Sequence, residues 1–292
     1  MASFPRPVVT HMPARITTSV VFASPHSGRV YPEAFRRSAA VEGAVLRSSE
    51  DAYVDLLLAT APDQGAPLIT TEVPRAYVDF NRAESELDPA LIPGAPRQPG
   101  NPRIASGLGV IARVVAGGRP LYRAPLTMAE AEARLAGCWR PYHAALAGLM
   151  AAQRARFGQA LLFDVHSMPH EALGGAAGAP ARNRARPDIV LGDRHGAACR
   201  PETLAAVEAV LLAEGLRVAR NAPFAGAYTA QTYGRPAEGW QMVQIEIDRG
   251  LYLDEARVEP GPGFADFAAV MARVVAGLAQ LGRAQAMPIA AE

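Results

Sequence analysis

Two histidines stand where buried strands would run out. His26 follows Val20-Val21-Phe22-Ala23-Ser24-Pro25 and leads into Ser27-Gly28, and His166 follows Ala160-Leu161-Leu162-Phe163-Asp164-Val165 and leads into Ser167. Short apolar runs rich in Val, Leu and Phe and closed by turn residues read as buried strands. In open α/β sheets chemistry gathers at the carboxyl ends of strands. Two imidazoles at two such ends can therefore meet, although 140 positions separate them in the chain. Neutral imidazole is the commonest protein ligand for a catalytic metal. A single turn histidine is more simply a backbone-bonded one; the pair is what points to a site.

A third ligand is then a carboxylate. Glu50 and Asp51 offer one at the start of an expected helix over Asp51–Ala61, with capping of that helix as the competing use. Two histidines and one carboxylate, with a position left open, form a hydrolytic zinc arrangement that acidifies water and polarises a carbonyl. Asp164 shares a strand face with His166 under the period-2 rule and is placed to orient that imidazole through its far nitrogen. Glu246 lies within Val243-Gln244-Ile245-Glu246-Ile247-Asp248. A carboxylate in a central strand is costly unless paired or used, so Glu246 is a candidate general base; a solvated edge strand is the alternative. Arg75 and the Asn81-Arg82 pair can grip a carboxylate, or else form surface ion pairs with Asp79, Glu84 or Glu86.

These side chains need a scaffold. Strand patterns fall at Ser19–Ala23, Pro67–Thr70, Ala76–Phe80, Leu161–Val165, Asp188–Leu191 and Met242–Ile247. Helical periodicity falls at Asp51–Ala61, Met128–Phe157, Pro201–Glu214 and Phe264–Leu281. Pro141 should kink or split the second of these, and Thr127 with Glu130 forms a capping box at its start. The alternation predicts an α/β fold, a mostly parallel mixed sheet flanked by helices, in a single domain over 1–292. Asp88–Arg103 and Gly174–Arg186 are Pro- and Gly-rich and read as long surface loops.

The bulk properties narrow the class. The chain has 29 basic residues, all arginine, against 28 acidic ones, a balance that points to neither nucleic acid nor an acidic partner. Cys138 and Cys199 fit no disulfide or CxxC pattern, and a reducing cytoplasm is expected. No signal peptide and no membrane-spanning stretch are expected.

Taken in order, several motifs resemble the N-formylglutamate amidohydrolase family, a relative of zinc carboxypeptidases and aspartoacylases. They are Pro25-His26-Ser27-Gly28, Glu50-Asp51, Arg75-Ala76-Tyr77-Val78-Asp79-Phe80-Asn81-Arg82, Trp139-Arg140-Pro141-Tyr142-His143, Phe163-Asp164-Val165-His166-Ser167, Asp188–Asp193, Tyr233-Gly234-Arg235-Pro236 and Gln244-Ile245-Glu246-Ile247. The resemblance implies a phosphorylase/hydrolase-like, zinc-carboxypeptidase-like fold with one zinc per chain. It implies hydrolysis of the amide of an N-acyl amino acid, for N-formylglutamate the last step of one route of histidine degradation; separately, a monomer or homodimer is expected. It makes His26, Asp51 and His166 the metal ligands, with Glu50 the alternate acid, and Glu246 the catalytic glutamate. Arg75 would face the oxyanion, and Asn81 and Arg82 the α-carboxylate. Arg113, from its place in a loop-rich stretch, is assigned a side-chain carboxylate. Gln231-Thr232 replace a basic pair common in the family, which leaves another N-acyl amino acid open as substrate. A metal-dependent carboxypeptidase or deacylase, and a non-catalytic binder of an acidic ligand, are the competing readings.

Overall fold

A computed structural model describes residues 4–173 and 186–284. Seven strands form one sheet: β1 (Val9–His11), β2 (Val20–Ser24), β3 (Leu68–Thr70), β4 (Ala160–Met168), β5 (Ile189–Gly192), β6 (Val218–Arg220) and β7 (Trp240–Asp248), in the order β1-β3-β2-β4-β7-β5-β6. The central strands β3, β2, β4 and β7 are parallel. β1 pairs antiparallel with β3, and β5 antiparallel with β7, so the sheet is mixed but mostly parallel, as its α/β alternation predicts.

Alternate residues of each central strand feed two cores. Val20, Phe22, Leu161, Phe163, Val243 and Ile245 face one side. There they pack against α1 (Val54–Leu57), α4 (Pro201–Ala213) and α6 (Phe264–Ala284). Val21, Ala23, Leu162 and Met242 face the other, against α2 (Met128–Arg134), α3 (Arg140–Phe157) and α5 (Tyr228–Tyr233). Burial of this kind is worth roughly 1.5–3 kcal/mol per large apolar side chain, and it locks the strand parity that aims the polar residues. Among the described residues, α6 is the one helix long and apolar enough to cross a membrane, where none was expected. Its Phe267, Met271, Val274, Val275, Leu278 and Ala279 are buried at helical spacing.

Four local expectations change. Ala76–Phe80 is not a strand: Tyr77 N and Val78 N donate to Pro74 O, and Asp79 N to Val110 O. The segment is buried like a strand but bonded as a turn. The helix expected over Asp51–Ala61 shrinks to α1, because Tyr53 sits at φ 64°, in the left-handed region. The run at Pro141 divides as expected: the turn Leu135–Trp139 widens to π bonding and α3 starts with Pro141 in its first turn. Thr127 caps α2 by accepting from Glu130 N at 3.1 Å, but the Glu130 carboxylate turns to Arg134 rather than back to the cap. Asp88–Arg103 is a packed segment whose Leu91, Ile92 and Ala95 are buried in the second core. Of the other expected loop, residues 174–185 lie outside the described residues.

Candidate active site and metal centre

Strand register builds the site. β4 and β7 run parallel with Asp164 beside Gln244 and His166 beside Glu246, so these four side chains share one face. Along that face residues 160, 162 and 242 belong to the second core, and the next positions turn polar. His166 lies inside β4, whose pairing continues to Met168, rather than past a strand end. His26 stands two residues beyond β2. Asp51 N donates to His26 O at 3.0 Å, which fastens the two turns to each other.

The result is a buried cluster of three potential ligands, His26, Asp51 and His166. Asp51 Oδ2 lies 2.9 Å from His166 Nδ1 and 3.2 Å from His26 Nδ1, and the two Nδ1 atoms are 3.1 Å apart. Donors about 2.0–2.1 Å from a tetrahedral zinc stand roughly 3.3 Å apart, so the spacing and the donor set suit one small divalent cation. The far nitrogens each face a carboxylate: His26 Nε2 is hydrogen-bonded to Asp79 Oδ1 at 2.8 Å, and His166 Nε2 lies at ion-pair distance, 3.0 Å, from Asp164 Oδ2, with Asn81 Nδ2 3.4 Å away. That leaves both Nδ1 lone pairs for the cluster, the usual support of a metal-binding imidazole. Asp51 is steadied through its other oxygen, which accepts from Arg249 Nη2 at 3.1 Å and Ser167 Oγ at 3.4 Å.

The electrostatics show an excess of negative charge. Burial alone would raise Asp51, but the bonds to His166 and His26 outweigh it and hold its carboxyl well below the usual range. Burial pushes His166 down, yet neighbouring Asp164, with Asp51 and Glu246, holds the imidazolium well above its ordinary range. A cluster that retains a proton this strongly is one in which a cation can replace it.

Glu246 is buried beside this cluster. Its Oε1 accepts from Gln244 Nε2 at 2.7 Å, and burial raises its carboxyl to about 7, with His166 and Arg75 opposing and Asp51 adding to the shift. Glu246 lies on an interior strand, so the solvated-edge alternative does not apply. His26, His166, Glu246, Arg75, Asn81 and Arg82 all line one cavity of about 550 Å³. Arg75 Nε donates to Asp79 Oδ2 at 3.0 Å. Asn81 is fixed by Thr229 N donating to its Oδ1 at 2.9 Å and by Gln244 Oε1 at 3.4 Å from its Nδ2.

Two expected residues stand elsewhere. Glu50 Oε1 accepts from Tyr31 at 2.6 Å and Glu50 Oε2 from Arg47 at 2.9 Å, so this acid braces a turn outside the cluster. Arg113 Nε donates to Asp88 Oδ2 at 2.8 Å and is not among the cavity's lining residues. Gln231 and Thr232 lie on α5; the stretch before it, Pro223–Ala227, lines the cavity instead. Three contributors escaped sequence reasoning. Asp79 carries a local signal, since its Oδ1 also accepts from Asn81 N at 2.8 Å, the turn that an Asp-x-Asn pattern favours. Ser167 lies beside His166 inside β4 and Arg249 follows the end of β7, and no local pattern marks them.

Gly28 sets the turn that presents His26. A Cβ there would stand 2.1 Å from Val73 O, a main-chain atom with no freedom to yield. Gly28→Ala is expected to cost about 1–3 kcal/mol or more and to shift His26. Denaturant midpoints and metal content measure both effects; unchanged values would refute the steric account.

Residues 18–253 match the sequence profile of the N-formylglutamate amidohydrolase family. The chain is 32% identical over 244 residues to the N-formylglutamate deformylase of Pseudomonas aeruginosa, covering 81% of this chain and 82% of that protein. It is 29% identical over 243 residues to the N-formylglutamate deformylase of Pseudomonas putida, with the same coverage. The crystal structure of N-formylglutamate amidohydrolase from Ralstonia eutropha JMP134 superposes with a TM-score of 0.88 at 36% identity, covering 96% of this chain and 99% of that one. With the family profile spanning most of its length, from ahead of β2 to beyond β7, this chain belongs to the N-formylglutamate amidohydrolase family.

Proposed function

We propose that this chain is a zinc-dependent amidohydrolase that converts N-formylglutamate and water to glutamate and formate. One observation carries the reading: a buried two-histidine, one-carboxylate cluster, a glutamate raised to about 7 and several guanidiniums converge on one cavity. The relatives' names supply the substrate class.

His26, Asp51 and His166 would hold the zinc, which when bound lowers the pKa of a water and polarises the substrate carbonyl. Glu246 takes a proton from the attacking water as the new C–O bond forms to the formyl carbon. The negative charge that develops on the formyl oxygen faces the Arg75 guanidinium, which Asp79 holds in place. Glu246 then returns its proton to the nitrogen as the C–N bond breaks, releasing formate and the free amine. Asn81 and Arg82 bind the α-carboxylate; Asn81 is clamped by Thr229 and Gln244, so it arrives preorganised. Asp164 keeps His166 in the ligating tautomer. The reaction would serve histidine degradation in a reducing cytoplasm, where the buried thiols of Cys138 and Cys199 stay free.

The test is a substrate panel with the zinc-loaded protein. Stoichiometric formate and glutamate from N-formylglutamate are expected, with a lower kcat/KM on N-acetylglutamate and on formylated peptides. No formate from metal-loaded protein, or full activity after rigorous chelation, overturns the reading. Preference for a peptide would favour a carboxypeptidase-like activity in its place.

A further inference from the structure

Four arginines line the cavity, and they divide into two kinds. Arg75 is bound to Asp79 and Arg249 to Asp51, so their charges are answered within the protein. Arg82 is held only by carbonyls: Nε donates to Leu108 O at 3.0 Å and Nη1 to Asn81 O at 2.8 Å. Arg103 has no ion-pair partner among the described residues. Burial, together with the like charges of Arg75 and Arg103, pushes Arg82 below its usual value despite Asp79. Two guanidiniums, Arg82 buried and Arg103 half-buried, therefore face the same space without an ion-paired carboxylate, and for the buried one an incoming anion offsets part of the cost of burial.

The main chain that carries Arg103 is fixed relative to the Arg82 guanidinium. Asn101 Oδ1 accepts from Arg103 N at 3.0 Å and Ile104 N at 3.2 Å, and Ile104 is buried beneath. Leu108 N donates to Arg103 O at 2.8 Å, while Leu108 O accepts from Arg82. Leu108 thus ties the main chain of one arginine to the side chain of the other. Arg113, bonded to Asp88, is committed to the loop itself.

We propose that Arg103 is the residue that selects a dicarboxylic substrate, binding the side-chain carboxylate while Arg82 takes the α-carboxylate. The proposal rests on the function assigned above and deepens it: two guanidiniums without an ion-paired carboxylate match two carboxylates on one amino acid, and a neutral side chain would leave Arg103 without a charged partner. Arginine's planar fork suits such a contact.

Arg103→Met and Arg103→Lys, each checked for native circular dichroism and metal content, decide it on N-formylglutamate and N-formylglutamine, which share a shape and differ in charge. A charged hydrogen bond of this kind is worth about 1.5–3 kcal/mol, so Arg103→Met should lose roughly 10–150-fold in kcat/KM on N-formylglutamate, mainly through KM. The same variant should change by less than about threefold on N-formylglutamine, and Arg103→Lys should recover part of the loss. An equal loss on both substrates, or none on either, overturns the proposal. Should the native protein hydrolyse neither compound, the functional reading falls separately, and calorimetry with glutamate then decides for Arg103. There, a tenfold or greater weakening in Arg103→Met supports the carboxylate contact and an unchanged Kd refutes it.

Discussion

Glu246→Gln lowers kcat by about 10²–10⁴-fold while the variant keeps its metal. The range is the usual contribution of a positioned general base. The change is nearly isosteric, and the glutamine oxygen can still accept the Gln244 amide that Glu246 Oε1 accepts at 2.7 Å. What is lost is the capacity to take a proton from water and hand it to the leaving nitrogen. Because Glu246 stands outside the cluster of His26, Asp51 and His166, metal content should not change. The same residue sets the acidic limb of the pH profile. Burial raises its carboxyl to about 7, and a divalent cation nearby draws it down. The base form is lost as pH falls through the folded pKa, so kcat/KM should fall on the acid side with a midpoint at or below about 7. In Glu246→Gln that limb should vanish from the residual rate. Retention of wild-type kcat, or an unchanged acidic limb in the variant, removes Glu246 from the chemistry.

How much of this was legible follows from the range of the forces involved. Strand parity is local, so the shared face of Asp164 and His166, and of Gln244 and Glu246, could be read from alternation alone. The turn at Pro25-His26-Ser27-Gly28 is also local, because proline and glycine punctuate it. The mixed sheet follows from alternating strand and helix patterns, while the edge strands β1 and β6 and the antiparallel direction of β1, β5 and β6 needed the structure. Choosing between Glu50 and Asp51 was different. The two acids are adjacent, and their fates depend on Tyr31 and Arg47 reaching one and two histidines reaching the other. Ala76–Phe80 reads as a strand because both of its faces are buried, yet its main-chain bonds go to Pro74 and Val110. Long-range burial overrode periodicity there, and with it hid Asp79 as the support of His26. Arg113 was singled out in loop-rich sequence, and Arg103, ten residues earlier, which lines the cavity, was not. The Asp88 carboxylate, which no local rule ties to either, separates them.

His166→Ala should weaken metal binding severely and abolish turnover. A zinc site of four ligands yields apparent binding energies of about 10–16 kcal/mol, or roughly 2.5–4 kcal/mol per ligand, so one lost imidazole weakens affinity on the order of 10²–10³-fold. The substitution also leaves Asp164 buried without the imidazole 3.0 Å from its Oδ2, a charge that the interior tolerates poorly. Stability alone would therefore confuse a lost ligand with a damaged fold, and chelation separates the two. Metal that binds only the native state stabilises by about 4 kcal/mol when present at 1,000 times its Kd. Chelation should accordingly lower the Tm of the native protein by several degrees and leave that of His166→Ala unmoved. The same contrast should hold for elemental analysis, with about one zinc per native chain and a small fraction in the variant. A variant that retained stoichiometric metal, or a native protein indifferent to chelation, would mean that His26, Asp51 and His166 meet for structural reasons alone. Their spacing of 2.9–3.2 Å makes that outcome costly, because two imidazole lone pairs and a carboxylate oxygen so close together need a proton or a cation among them.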